Sequence, residues 1–290
     1  MKNTIMYYYG FENISLIRQK NRKYIKHNND LYMLCRIYNE KETLELYELT
    51  KNIPFFYDFV LNKDKNIFTV YNDYFFVLIK VNNKVLTEKD KQIQLNLDNT
   101  KEYYLDRSNW YELWTRKNDY YEYQYKHIKG KYKTIDESID YYIGLAENAI
   151  SYISNIPSNL KVQEKKGLYP KRAIFLEDEY HNPLNYVIDY KERKLSEYLK
   201  MLFATKKYIG QNIENIILSY NCTETGYRLL YGRMLYPSLY FDMYDRIINN
   251  YENEESILEI VKRSKEYEDY LSEIYRIISK KVEIKNIDWL

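Results

Sequence analysis

The spacing of apolar residues changes once along this chain, near Val81. Before that point the apolar residues fall in short runs, many of them β-branched or aromatic, which are separated by Asn, Asp, Lys and Gly. Such runs are typical of short strands joined by tight turns. After that point apolar residues recur at the three- and four-residue spacing of helices. The sequence therefore predicts an α+β chain in which a small sheet precedes a larger helical region.

The β-rich part is predicted to span residues 1–82 and to contain one inserted helix. Acidic residues are concentrated near the start of 39–51, where they favour the helix dipole, and leucines follow them. This segment is therefore predicted to be helical. The predicted strands cover 5–9, 14–18, 23–26, 31–38, 55–61, 67–71 and 74–81.

Residues 83–290 are predicted to be mainly helical, with a small hairpin at about 168–190. Ser108 is a candidate N-cap for the first long helix. Thr134 and Glu137 have the spacing of a capping box, which predicts the start of the next helix. Gly, Asn and Pro residues interrupt the helical pattern further along the chain, so several helices are expected rather than one.

Charge and hydropathy argue against nucleic acid and membranes as partners. The chain has 44 basic and 42 acidic residues, a net charge of +2, and both signs are spread along its length. Its longest apolar stretch, at 75–79, is far shorter than the ~20 residues that a membrane span needs. The first ten residues do not have the pattern of a secretory signal. We therefore expect a protein made and kept in the cytosol.

Cysteine and histidine are too few and too scattered to indicate a metal site. Cys35 and Cys222 are predicted to be small core residues that form no disulfide. His27, His127 and His181 have no ligand spacing, and His181 is predicted to lie in a surface loop. The 37 tyrosines allow two interpretations: codon bias in an AT-rich genome, with many of the rings in the core, or a functional role.

The most informative segment is 182–200, which reads NPLNYVIDYKERKLSEYLK. The β-branched pair Val187 and Ile188 is followed by Asp189, and a polar helix comes next. A short buried strand that ends in an acid can deliver one carboxylate to a metal at its end. Asp189 is therefore a candidate metal ligand.

Three segments together carry a family resemblance. They are SIDYYIGLAENAISYI at 138–153, the 182–200 segment, and YRLLYGRMLYPSLYFDMYDRI at 227–247. In this order they resemble the spore-coat proteins of the CotS and YutH group. That group is a branch of the choline and aminoglycoside kinase-like superfamily in endospore-forming Firmicutes. The resemblance implies a two-lobed protein-kinase-like fold, with a β-rich N-lobe at 1–82 and a helical C-lobe at 83–290.

The resemblance also implies where catalytic groups would stand in an active relative. The aspartate equivalent to Asp189 holds Mg²⁺ in such kinases, and a catalytic aspartate lies upstream in an HGD motif. Here that stretch reads Pro-Lys-Arg and places Arg172 near the position of the base. Glu177 or Asp178 falls near a second metal ligand, Asp178 being the candidate, and Asn185 lies in the turn before the strand. Arg172 and Asn185 are therefore predicted to be positions of a degenerate site.

The residues that bind phosphate in the superfamily also have no counterpart in this sequence. Gly10 is the only glycine before Gly130, so a glycine-rich phosphate loop is not expected in the sheet. Cys35 stands where the resemblance implies the strand lysine. The helix glutamate that would pair with that lysine is Glu45 or Glu48, and both have the simpler interpretation of solvated helix acids.

Three hypotheses follow. The first is a catalytically inactive kinase-like protein, or pseudokinase, that forms part of the endospore coat, with other coat or assembly proteins as partners and without a cofactor. It would be made in the mother-cell cytoplasm and deposited in the coat, where tyrosines suit oxidative cross-linking. The second is a divergent small-molecule kinase that uses Mg²⁺ and ATP, with Asp189 as metal ligand and Asp178 as base. The third is an interaction protein outside sporulation.

Overall fold

The computed structural model describes residues 1–19, 22–82, 97, 101–172 and 177–287. The chain divides into two compact units. The first comprises Met1–Asp106 and Gly167–Ile188, and the second comprises Arg107–Lys166 and Asp189–Leu290. The hairpin that we assigned to the helical lobe thus groups mostly with the sheet. The division at 82/83 borders residues outside the described part, and it stays a prediction.

The elements follow the predicted change from strands to helices. In chain order they are α1 (Lys2–Tyr9), β1 (Ser15–Gln19), β2 (Arg22–His27), β3 (Asp30–Ile37), α2 (Glu40–Thr50), β4 (Asp58–Val60), β5 (Thr69–Tyr71), β6 (Tyr74–Val81), α3 (Trp110–Ile128), α4 (Lys133–Ser154), α5 (Ser158–Gln163), β7 (Lys166–Pro170), α6 (Glu177–Tyr180), β8 (Tyr186–Tyr190), α7 (Glu192–Ala204), α8 (Ile213–Ser219), α9 (Glu224–Leu235), α10 (Ser238–Ile248), α11 (Glu255–Lys262) and α12 (Ser264–Ser279). A 3-10 turn at Pro183–Asn185 precedes β8.

The first unit is built on an antiparallel sheet with the strand order β1-β2-β3-β6-β4, and β5 pairs with β6. Alternate residues of β3 serve two cores. Met33 and Ile37 pack on the face that also contacts Tyr47 of α2. Tyr32 points to the opposite face, where it joins Ile5 of α1. The sheet is therefore covered by α1 on one face and α2 on the other.

The predicted strand at 5–9 is wrong, because these residues form the helix α1. A short, almost wholly apolar run has no periodicity that separates a strand from a helix. Ile5 is buried in the sheet core, and Gly10 ends the helix in the left-handed conformation with φ 65°. Burial of the apolar side of α1 on the sheet therefore decided its conformation.

Two predicted helix starts also differ from the structure. Asn109, not Ser108, caps α3, because its side chain accepts a hydrogen bond from the backbone N–H of Glu112 at 3.4 Å. Thr134 lies inside α4, where its backbone N–H donates to the carboxylate of Glu254. A carboxylate from a distant part of the chain thus takes the place of the predicted capping box.

Tyrosine rings form much of the core of the second unit. Tyr121 stacks on Phe241 with ring centroids 4.2 Å apart, and Tyr142 stacks on Tyr240 at 3.7 Å. Tyr231 is fully buried as well. These rings supply large apolar area at few rotatable bonds. The core interpretation of the tyrosines therefore holds for these positions.

Candidate functional site

Asp189 lies near the end of β8, a strand whose five residues are all buried. Its side chain is 0% exposed, and both of its carboxylate oxygens accept hydrogen bonds. Oδ2 accepts from the Arg193 guanidinium at 2.6 Å and from Trp110 Nε1 at 3.1 Å. Oδ1 accepts from the backbone N–H of Tyr190 at 2.8 Å. The carboxylate is thus held by three protein donors.

A second buried ion pair adjoins the first. Glu197 follows Arg193 by one turn of α7, and it accepts a hydrogen bond from Arg233 of α9 at 2.7 Å. The Arg233 guanidinium also lies 5.0 Å from the centre of the Trp110 ring. We name Trp110, Asp189, Arg193, Glu197 and Arg233 the buried ion-pair network. Trp110 joins its two pairs, through a hydrogen bond to one and its ring face to the other.

This arrangement corrects a local expectation. The sequence favours an i,i+4 pair between Arg193 and Glu197, whereas the structure pairs Arg193 with Asp189 and Glu197 with Arg233. The reason is that this face of α7 is buried, partly against α9, rather than solvated. The Arg172 guanidinium donates to the Lys171 carbonyl at 2.9 Å.

The network controls what Asp189 can do chemically. Burial raises the pKa of Asp189, and the neighbouring Arg193 and Arg233 guanidiniums oppose that rise. A hard cation that used Oδ2 would have to displace the Arg193 guanidinium, which already supplies the opposite charge. Among the residues that the structure describes, no group of three or more His, Cys, Asp or Glu side chains is placed to hold a metal ion.

Glu192 is a buried acid that the sequence does not single out, because KERK reads as a solvated helix start. It is 0% exposed, and neither carboxyl oxygen has a hydrogen-bond partner among the described residues. Burial raises its pKa to about 7, and the Lys191 ammonium, 4.0 Å from Oε1, opposes part of that rise. A Cβ at Gly226 would lie 2.5 Å from Glu192 Oε1, so a larger residue there would push the Glu192 carboxyl aside.

A pocket of about 540 Å³ lies in the first unit, at the end of the sheet where β2 begins. It has several basic and amide side chains, and none of its lining residues is acidic. We name it the sheet-end pocket. Its lining residues are Met1, Arg22, Lys23, Met33, Leu34, Cys35, Arg36, Tyr71, Asn72, Tyr74, Phe76, Asn182, Leu184 and Asn185.

Cys35 lines this pocket as a neutral thiol. Burial raises its pKa to about 12, although nearby Arg22 opposes the rise. It shares the α2-facing side of β3 with Met33. The Arg22 guanidinium approaches Met33 Sδ at 3.3 Å and pairs with Glu179 at 2.8 Å. The cation that opposes the rise in the Cys35 pKa therefore comes from β2 and is paired within the protein.

The remaining predicted site residues have structural contacts where they are described. Asn185 lines the sheet-end pocket and donates from its side chain to the Glu179 carbonyl at 3.0 Å. The side chain of Asp178 lies outside the described residues. Glu45 is buried and accepts from the backbone N–H of Leu105 at 2.8 Å, whereas Glu48 pairs with Lys51 at 2.5 Å. Glu45 is therefore not the solvated acid that was expected.

His181 is a further correction. The sequence predicts a surface loop residue, but the side chain is 2% exposed. Its Nδ1 lies 2.7 Å from the Phe55 carbonyl oxygen, and its ring packs against Phe55 and Tyr57. The signal that was missed is the aromatic run at 55–57, which needs a partner to cover it. His181 thus anchors the segment before β8.

Comparison with solved structures identifies the fold of this protein. The chain is similar to an aminoglycoside phosphotransferase from Alicyclobacillus acidocaldarius subsp. acidocaldarius DSM 446, with a TM-score of 0.58, 9% identity, and coverage of 97% of this chain and 96% of that one. It is also similar to a spectinomycin phosphotransferase solved with ADP and spectinomycin, at a TM-score of 0.52 and 11% identity, covering 95% of each chain. The fold is therefore aminoglycoside phosphotransferase-like, which confirms the predicted α+β kinase-like fold.

Sequence comparison identifies the family of this protein. The pattern of the family described as "Spore coat putative kinase YutH" matches residues 2–274, and this chain belongs to that family. It is 26% identical over 212 residues to the endospore coat-associated protein YutH of Bacillus subtilis (strain 168). That match covers 62% of this chain and 61% of the relative, so it spans less than two thirds of the relative's length. The resemblance noted in the sequence is confirmed.

Two further features bear on partners. Cys35 and Cys222 are both free thiols. Within the described part of the chain, no helix combines the length and the apolar character needed to span a membrane.

Proposed function

We propose that this protein is a non-catalytic kinase-like component of the endospore coat. One observation carries the non-catalytic part: the Asp189 carboxylate is occupied by Arg193, Trp110 and the Tyr190 backbone. Phosphoryl transfer in kinases needs the equivalent acid to hold a metal ion against the phosphates. With Arg193 supplying the positive charge, the acid serves to join helices instead.

The phosphate-binding positions support the same proposal. The strand position that the family resemblance assigns to a lysine holds Cys35, whose thiol is neutral because burial raises its pKa to about 12. The sheet has no glycine-rich turn, since Gly10 is the only glycine before Gly130 and it caps α1. Positioning and charge stabilisation provide most of the catalysis in phosphoryl transfer. The absence of both the strand lysine and the glycine-rich turn therefore weakens catalysis more than either absence alone.

Family membership supports the coat role. The family is described by its place in the spore coat, and the relative in Bacillus subtilis is described as endospore coat-associated. By this proposal the chain is made in the mother cell, needs no Mg²⁺ or ATP, and binds other coat or assembly proteins. Its folded core then serves as a scaffold rather than a catalyst.

An ATP turnover assay tests the non-catalytic part. The purified protein is incubated with Mg²⁺ and ATP against a panel of hydroxyl-bearing small molecules, including aminoglycosides and choline. We expect ATP consumption no higher than that of Asp189→Asn, a variant of the same shape whose folding is checked by circular dichroism. Turnover in the wild type that disappears in a folded Asp189→Asn variant would contradict the proposal. It would favour the divergent Mg²⁺-dependent kinase.

The timing of expression tests the coat part. We expect transcripts confined to the mother cell late in sporulation, and the protein in extracts of the spore coat. Constitutive expression, with the protein absent from such extracts, would contradict the coat role. It would favour an interaction protein outside sporulation.

A further inference from the structure

One segment departs from the even spread of charge along the chain. Residues 13–29 contain none of the chain's 42 acidic residues. They contain five basic ones, which are Arg18, Lys20, Arg22, Lys23 and Lys26. This segment includes β1 and β2, so the charge lies at one side of the sheet. A local positive surface of this kind attracts anionic partners.

Strand β1 is the edge of the sheet at this side. It pairs with β2, and no strand lies beyond it among the residues that the structure describes. All five of its residues are exposed, including Leu16 at 50% and Ile17 at 39%. The backbone of an exposed edge strand offers N–H and C=O groups to a further strand. The protein therefore presents an edge that can accept an extended segment.

Two cations stand directly opposite each other at this edge. Arg18 of β1 pairs in register with Lys23 of β2, so their side chains project from the same face of the sheet. Like charges in this position are unfavourable. No ion pair is found for either side chain within the described ranges, whereas Arg22 is already paired with Glu179. An anionic group placed between Arg18 and Lys23 would relieve their repulsion.

We propose that β1 is a docking edge for an extended acidic segment of a partner protein, which adds to the sheet as a further strand. Because side chains alternate between faces, carboxylates of the added strand would lie on the face of Arg18 and Lys23. Apolar side chains would then lie on the opposite face, near Ile17. The partner segment should therefore alternate acidic and apolar residues. The exposed apolar side chains of Leu16 and Ile17 and the unpaired backbone edge of β1 favour a peptide over a phosphate-bearing polymer.

The inference does not depend on the coat role, and a defined peptide tests it. The probe is a fluorescein-labelled octapeptide of alternating Glu and Val, and fluorescence anisotropy measures its binding to the full-length protein. We expect Arg18→Gln/Lys23→Gln to weaken binding about tenfold, as removal of two partly screened charge contacts implies. The matched control Lys281→Gln/Lys285→Gln changes two exposed lysines of the second unit and should leave binding unchanged.

The backbone contribution has its own control. Two further peptides carry N-methyl groups on the amides of either all Glu or all Val residues, which removes donors on one side of the strand. One of the two should lose binding, because an added strand donates to β1 from one side only. The Arg18→Gln/Lys23→Gln variant should stay folded by circular dichroism, since it removes a like-charge pair.

Three results would overturn the proposal. The first is no binding of the alternating peptide. The second is that both N-methylated peptides, and a peptide of four Glu followed by four Val, bind as tightly as the unmodified alternating peptide. The third is tighter binding of a single-stranded thymidine oligonucleotide, or of phosphatidylglycerol vesicles, with the same loss in the double variant. That third result would assign the surface to nucleic acid or to a membrane.

Discussion

Replacing Asp189 with alanine is expected to lower the free energy of unfolding by about 3–5 kcal/mol, the cost of leaving one partner of a buried ion pair alone. The loss should not depend on Mg²⁺. Its cause is that Arg193, which donates to Asp189 at 2.6 Å, stays buried without that carboxylate. Urea unfolding followed by tryptophan fluorescence measures the effect, because Trp110 contacts Asp189 directly.

The control for this substitution is Asp269→Ala. The Asp269 side chain is 73% exposed and lies 3.8 Å from Lys265, so its loss should cost less than about 1 kcal/mol. A second variant, Asp189→Leu/Arg193→Met, removes both charges and should recover part of the stability lost in Asp189→Ala. If Asp189→Ala unfolds like the wild type, or differs from it only when Mg²⁺ is present, the ion-pair role of Asp189 is wrong.

Replacing Glu192 with glutamine is expected to raise stability above neutral pH. The folded-state pKa of Glu192 is raised to about 7 by burial, from an ordinary value of 4.5. The folded protein therefore binds the proton more tightly than the unfolded chain does. Stability from this group is fully present below about pH 4.5, and it is lost as pH rises through 7, by roughly 3 kcal/mol in total. Glutamine keeps the shape of the side chain and cannot ionise.

The difference in unfolding free energy between Glu192→Gln and the wild type is the quantity to measure, from pH 4.5 to 8. It should grow across this range and level off above pH 7. Glu147→Gln on α4 is the matched control. Because Glu147 is exposed, the unfolding free energy of this variant should stay close to that of the wild type at every pH. A constant difference for Glu192→Gln at every pH would show that the carboxyl does not titrate in a buried site.

The sheet could be predicted from the sequence where polar turn residues clearly separate runs of strand-forming residues. The polar turn at Asn28 separates β2 from β3, and acids at the start of α2 mark the inserted helix. The run at 5–9 could not be assigned in this way, because packing on the sheet decided it. The cap of α4 was missed for a similar reason, since its carboxylate comes from Glu254.

The candidate site was predicted only in part. The pattern of apolar residues ending in an acid is local, so it singled out Asp189. Its partner Trp110 is 79 residues away along the chain, and Glu197 and Arg233 are 36 residues apart. No local spacing links such residues. Glu192 was missed because its environment depends on the close approach of Gly226, which is visible only after folding.

Thermal unfolding with and without Mg²⁺ and ATP tests the central claim most directly. A ligand that binds only the folded state stabilises it in proportion to the logarithm of its concentration over Kd. With Arg193 on Asp189 and a neutral thiol at Cys35, we predict a Tm change of less than about 1 °C at millimolar Mg²⁺ and ATP. A Mg²⁺-dependent rise that grows with ATP concentration, and that Asp189→Asn abolishes while remaining folded, would contradict the account.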